Sequence, residues 1–173
     1  MQEYDLNKLM QDKEFLADKI QHFSSAGILK TQELDKDEIR GHILKADHNL
    51  RFATTLSEEF LDWVLAGCYY ASYHAALALL LTKGFTSKNH LATLCLLIRD
   101  FYGAELSAED FIALSQLLDY EDILFYIESK NKREQATYSA KIGFNKKDVD
   151  PLKLKATLFV STIKSLLKGA GYN

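Results

Sequence analysis

Ser57-Glu-Glu-Phe-Leu-Asp-Trp-Val-Leu-Ala-Gly-Cys-Tyr-Tyr-Ala-Ser-Tyr-His-Ala-Ala-Leu-Ala-Leu-Leu-Leu-Thr-Lys-Gly84 is the stretch on which the fold turns. Leu61, Val64, Leu65, Cys68, Ser72, Ala75, Ala76, Leu79 and Leu80 recur at three and four residues, the spacing of one helical face. The opposite face carries Phe60, Trp63, Gly67, Tyr70, His74, Leu77 and Leu81, so this helix is apolar on both sides. A helix of that kind belongs at the buried centre of a bundle. Its small residues, Ala66, Gly67, Ala71, Ala75 and Ala78, let neighbouring helices come close. Ser57 reads as the N-cap, with Glu58 and Glu59 in the first turn, and Gly84 as the stop. The apolar run from Ala66 to Leu81 is broken by Ser72, Tyr73 and His74 and is too short for a bilayer span, so no membrane association is expected.

Helical signals continue on both sides. Residues 2–23 predict a first helix, with Leu6, Leu9, Met10, Leu16, Ala17 and Ile20 mostly on one face and Gly27 beyond its end. Asp35, with Glu38 three residues on, forms a capping box that opens a second helix over 35–55. After the central helix, Ser87 is the expected cap of a helix running to about Tyr102. Ser107-Ala-Glu-Asp110 opens another over 108–119, and a further helix or its continuation runs from about Glu121 to Tyr138. Asp150-Pro151 reads as N-cap followed by proline at the first helical position of the last helix. That helix buries Leu152, Ala156, Phe159, Val160, Ile163 and Leu167. The expectation is an all-α bundle of five to seven helices, with no strand, repeat or linker.

Composition narrows the partners. The 173 residues carry a formal net charge of −3, so binding to nucleic acid has to rest on a local basic patch, and sequence-specific DNA binding is not expected. Cys68 and Cys95 sit in apolar helical stretches without a Cys-x-x-Cys pair, which reads as two buried free thiols in a reducing cytoplasm. The acidic N-terminal stretch has no apolar core and is not a signal peptide. His42 and His48 are six apart and do not share a helical face, and no His/Glu or His/Cys spacing points to a metal. Glycine-rich phosphate loops and the Gly-x-Ser-x-Gly elbow are absent, so no nucleotide-fold cofactor is expected.

Three segments carry a family likeness. Cys68-Tyr-Tyr-Ala-Ser-Tyr-His-Ala-Ala-Leu-Ala-Leu-Leu-Leu81, followed by Lys83-Gly84 and Ser87-Lys-Asn-His90, resembles the HEPN family. Ala46-Asp-His-Asn-Leu-Arg-Phe-Ala53 is similar to that family's first core helix, and Arg133-Glu-Gln-Ala-Thr-Tyr138 to its Arg-x-x-x-x-Tyr element. The likeness covers roughly residues 40–168. It implies an up-and-down bundle over 31–173, with residues 1–30 as an N-terminal helical extension. It further implies a homodimer and a link to RNA cleavage, or to toxin–antitoxin pairs that include a minimal nucleotidyltransferase. The family's ribonucleases carry Arg, four to six residues, then His. Here no arginine has a histidine at that spacing, and Tyr138 stands where the histidine after Arg133 is expected. Activity is thus left open; if present, it is that of a metal-independent endoribonuclease.

The candidate site follows from these segments. Arg133, with Lys132, lies in a basic stretch that runs through Lys141, Lys146 and Lys147. Its guanidinium fork suits two phosphate oxygens, and the plain alternative is a solvated charged face. His90 and Lys88 sit near a helix start, where backbone N–H groups favour anions, and His90 stands in for the missing histidine. Helix-start capping is the structural alternative. Tyr138 offers a hydroxyl to phosphate. Tyr70 and His74, clustered with Tyr69 and Tyr73, suit stacking on a base, or else core and dimer packing. The expected ligands are RNA or a nucleotide phosphate in a dimer cleft. The alternative is an inactive adaptor that holds a nucleotidyltransferase or another protein.

Overall fold

In a computed structural model that describes residues 3–118 and 145–172, the helix with apolar residues all round lies at the centre of an all-α bundle. The elements in chain order are α1 (Glu3–Gln11), α2 (Lys13–Ser25), β1 (Leu29–Thr31), α3 (Lys36–Thr55), a 3-10 turn (Glu58–Phe60), α4 (Leu61–Leu81), β2 (Phe85–Ser87), α5 (His90–Phe101), α6 (Ala108–Leu118) and α7 (Lys146–Gly169). Fifteen of the 21 residues of α4 are buried. It packs against α3, α5, α6 and α7. Among the described residues one helical stretch, Glu58–Leu81, is long and apolar enough to cross a membrane. Its most apolar window is 83% buried inside the bundle, where a core helix belongs.

Small side chains set the closest packing. A Cβ on Gly67 would stand 2.9 Å from the Ala53 Cβ and 3.0 Å from the Asn49 carbonyl oxygen, so α3 crosses α4 nearly backbone to backbone there. Two apolar clusters result. The larger joins Leu6 and Leu9 of α1, Leu16 and Phe23 of α2, and much of α4 and α5 to Phe111 of α6 and Phe159 of α7. The smaller gathers Ala53, Val64, Leu65, Cys68, Leu117, Val149, Leu152 and Ala156.

Several boundaries differ from expectation, each for a local reason. The first helix is two, because Asp12 leaves the helix and its carboxylate accepts the Phe15 N–H at 2.9 Å, capping α2. Ser57 opens a 3-10 turn, and the α-helix begins at Leu61. The cap of α5 is Asn89, which accepts from the Ala92 N–H at 2.9 Å; Ser87 belongs to β2 instead. The last helix starts at Lys146 under the Asn145 cap, which places Pro151 inside it. That early start buries Val149, 1% exposed, and offsets the N–H that proline lacks. Asp35 caps α3 as expected, through the Asp37 and Glu38 N–H groups at 2.9 and 3.1 Å.

The two strands are a finding of the structure alone. β1 and β2 pair antiparallel, Leu29 opposite Ser87 and Thr31 opposite Phe85. Gly27 (φ 68°) and Gly84 (φ 74°) take the left-handed turns that precede each strand. This ribbon brings the α2–α3 connection beside the start of α5.

Candidate functional site

The start of α5 is built by three neighbours. Ser87 Oγ accepts the Asn89 N–H at 3.1 Å, and the Asn89 side chain then caps the helix. His90 is therefore the first helical residue and does not cap. Its Nε2 lies 2.8 Å from the hydroxyl of Tyr69, a residue only 4% exposed. The Tyr73 ring lies 4.3 Å from the His90 ring, and the Tyr73 hydroxyl donates to the Ser87 carbonyl at 3.1 Å. Two tyrosines one turn apart on α4 thus fix both the histidine and the segment before it.

Outside this anchored segment lies a cavity of about 300 Å³, lined by Gly27, Ile28, Lys30, Thr86, Ser87, Lys88 and Asn89. Lys88 and Lys30 are both exposed, and no acidic residue is in the lining. Strand pairing sets Lys30 opposite Thr86, which is how a residue of the N-terminal region reaches the Lys88 loop. Sequence reading missed Lys30, since a three-residue strand is too short to leave a periodic signal.

The aromatic cluster of α4 divides in two. Tyr69 and Tyr73 turn toward His90, whereas His74 turns toward α3, where its Nδ1 lies 2.9 Å from Nδ1 of His42. Tyr70 packs edge-on against Tyr69 at 4.8 Å and is 38% exposed. Burial, with help from His42 and Lys45, pushes His74 down to about 4. Burial also lowers His42, against the pull of Glu38 and with a smaller push from Lys45. Both rings are neutral at pH 7, and one Nδ1–H donates to the other ring's Nδ1. Among the described residues no group of three or more His, Cys, Asp or Glu is arranged to hold a metal.

Arg133, Lys132 and Tyr138 lie outside the described residues. Of the basic stretch that contains them, Lys146 is ion-paired with Glu58 and Lys147 is exposed at the start of α7. A second groove, of about 520 Å³, runs between α3 and α7, and its Lys164 is tied to Asp47 at 2.7 Å. Of these two hollows, the Lys30–Lys88 cavity is the one with no carboxylate in its lining to match its positive charge. No protein-family model matches the chain, and no curated protein matches it.

Proposed function

We propose that this is a HEPN-type protein that binds RNA or a nucleotide phosphate, with Lys30 and Lys88 receiving the phosphate. The observation that carries the reading is the cavity in front of α5, with two exposed lysines and no carboxylate in its lining. Ammonium groups on flexible stems suit a phosphate as point charges. His90, with Nε2 engaged by Tyr69, anchors the floor of the loop. The acid–base role assigned to it by sequence requires that bond to open first.

Arg133, Lys132 and Tyr138 complete the reading from the sequence side, as the family's phosphate element. If RNA is cut, the internal nucleophile is the 2′-hydroxyl. The wider assignment is a homodimer serving a toxin–antitoxin or defence-type module, and the two buried thiols support a cytoplasmic setting. The adaptor reading has its own support: Leu44, Leu154 and Leu158 are 69%, 60% and 58% exposed, and exposed leucines suit a protein partner such as a nucleotidyltransferase.

A mixed RNA pool incubated with wild type, Lys88→Ala and Arg133→Ala separates the two readings, with retention and cleavage scored independently. Retention by wild type that falls in both variants is the expected result. Cleavage that disappears in Arg133→Ala would add ribonuclease activity. A wild-type protein that neither retains nor cuts RNA, and that binds no nucleoside triphosphate in equilibrium dialysis, overturns the proposal and leaves the adaptor.

A further inference from the structure

The β1–β2 ribbon has two faces, and its register decides which side chains lie on each. Lys30 stands opposite Thr86, and their neighbours Leu29, Phe85 and Ser87 project to the other side, since side chains alternate along a strand. Burial follows the alternation. Leu29 and Ser87 are 9% and 4% exposed and Phe85 packs on the main core, whereas Lys30 is exposed and Thr86 half-buried. Lys88, two residues on from Thr86, returns to the outer side, and all three line the same cavity.

Among the described residues these three side chains are uncommitted. Neither lysine is ion-paired, and the Thr86 hydroxyl makes no hydrogen bond. The other hydroxyl of the lining is in use, because Ser87 Oγ accepts the Asn89 N–H and donates to the Asn89 carbonyl, both at 3.1 Å. A hydroxyl donates one proton and an ammonium three, a set of donors that suits the oxygens of a tetrahedral anion. Nothing comparable awaits a base. Ile28 is the one apolar side chain of the lining, and no aromatic ring of the described residues belongs to it. The rings of α4 are engaged elsewhere: Tyr69 with His90, Tyr73 with the Ser87 carbonyl and His74 with His42. The Asn89 side-chain oxygen is spent on the Ala92 N–H. Base stacking needs a ring that this cavity does not offer.

We propose that Thr86 is a third phosphate ligand beside Lys30 and Lys88, and that the site grips a phosphate chain while leaving the base unread. This rests on the phosphate site proposed above and narrows its ligand to the backbone of a nucleic acid of any sequence or the phosphate chain of a nucleotide.

The test measures binding of labelled single-stranded RNA by fluorescence anisotropy, and of ATP and inorganic triphosphate by equilibrium dialysis. Wild type is compared with Lys88→Ala, Thr86→Val and Thr86→Ser. Thr86→Val keeps the branched shape that suits a strand and is expected to weaken binding by about tenfold, the worth of one hydrogen bond to a charged group. Thr86→Ser restores the hydroxyl and is expected to return affinity to within about twofold of wild type. Oligo(U) and oligo(C) of equal length should bind within about threefold of each other, because phosphate contacts carry no sequence information. ATP and inorganic triphosphate should likewise bind alike. With this pattern, binding of RNA alone assigns the phosphate to a nucleic-acid backbone, and binding of triphosphates alone assigns it to a nucleotide. Binding that falls in Lys88→Ala but is unchanged in Thr86→Val overturns the role of Thr86 and leaves the phosphate site standing. A preference of about tenfold for ATP over inorganic triphosphate, or for one homopolymer over the other, overturns the base-blind grip, since it requires contacts to the base. A wild type that binds neither RNA nor triphosphate removes the phosphate site and this grip together.

Discussion

Two glycines set the residue scale. Gly67 has the Ala53 Cβ and the Asn49 carbonyl oxygen where its own Cβ would go, while Gly41 on α3 has nothing within 4 Å. Gly67→Ala is therefore expected to cost about 1–3 kcal/mol through overpacking. Gly41→Ala should stabilise by roughly 0.5–1 kcal/mol, because alanine loses less backbone entropy in a helix. Denaturant unfolding of both variants checks the pair, and equal signs would contradict the close α3–α4 crossing. The thiols give a second prediction. Burial pushes Cys68 up to about 11 and Cys95 up to about 12, and both are fully buried. Neither should react with an alkylating reagent near neutral pH until the chain unfolds, when both label; mass spectrometry of native and denatured samples reads this. The buried state of the cysteines was legible from their apolar neighbours. The His42–His74 pairing was not, because its partners are 32 residues apart and no local spacing can encode it.

Helix boundaries show what a local signal can and cannot carry. Asp35 and the Ser107–Asp110 box cap their helices as read, the latter with the Asp110 carboxylate accepting from the Ser107 N–H at 2.9 Å. Where two cap-type residues compete, local chemistry leaves a tie that burial breaks. Ser87 loses to Asn89 because β2 pairs Ser87 with Leu29, and Asp150 loses to Asn145 because the longer helix buries Val149. Capping is thus assigned to one residue and withdrawn from the other. Asn145→Ala is expected to cost about 1 kcal/mol, while exposed Asp150→Ala stays within about 0.5 kcal/mol of wild type. Urea unfolding of the two variants decides it, and a larger loss at Asp150 would restore the shorter helix. The β1–β2 ribbon lay beyond the sequence for a related reason: two three-residue strands are defined by each other across the whole of α3 and α4.

At the scale of the molecule, the two-sided apolar pattern of α4 was enough to place it at the centre and to specify an all-α bundle. What that pattern could not convey is which surface residues the bundle brings together. Lys88 and His90 were legible as a loop and helix start, but Lys30 joins them only once the ribbon forms. The proposed function stands or falls on whether this junction receives phosphate. Fluorescence titration of single-stranded RNA at several salt concentrations, with wild type beside the Lys30→Ala/Lys88→Ala double variant, tests it. The double variant is expected to bind every RNA sequence more weakly. Its dependence of log affinity on log salt should also be shallower, by about 0.7 for each phosphate no longer neutralised, or roughly 1.4 in all. Equal affinity and equal salt dependence in the two proteins would contradict a phosphate site at Lys30 and Lys88.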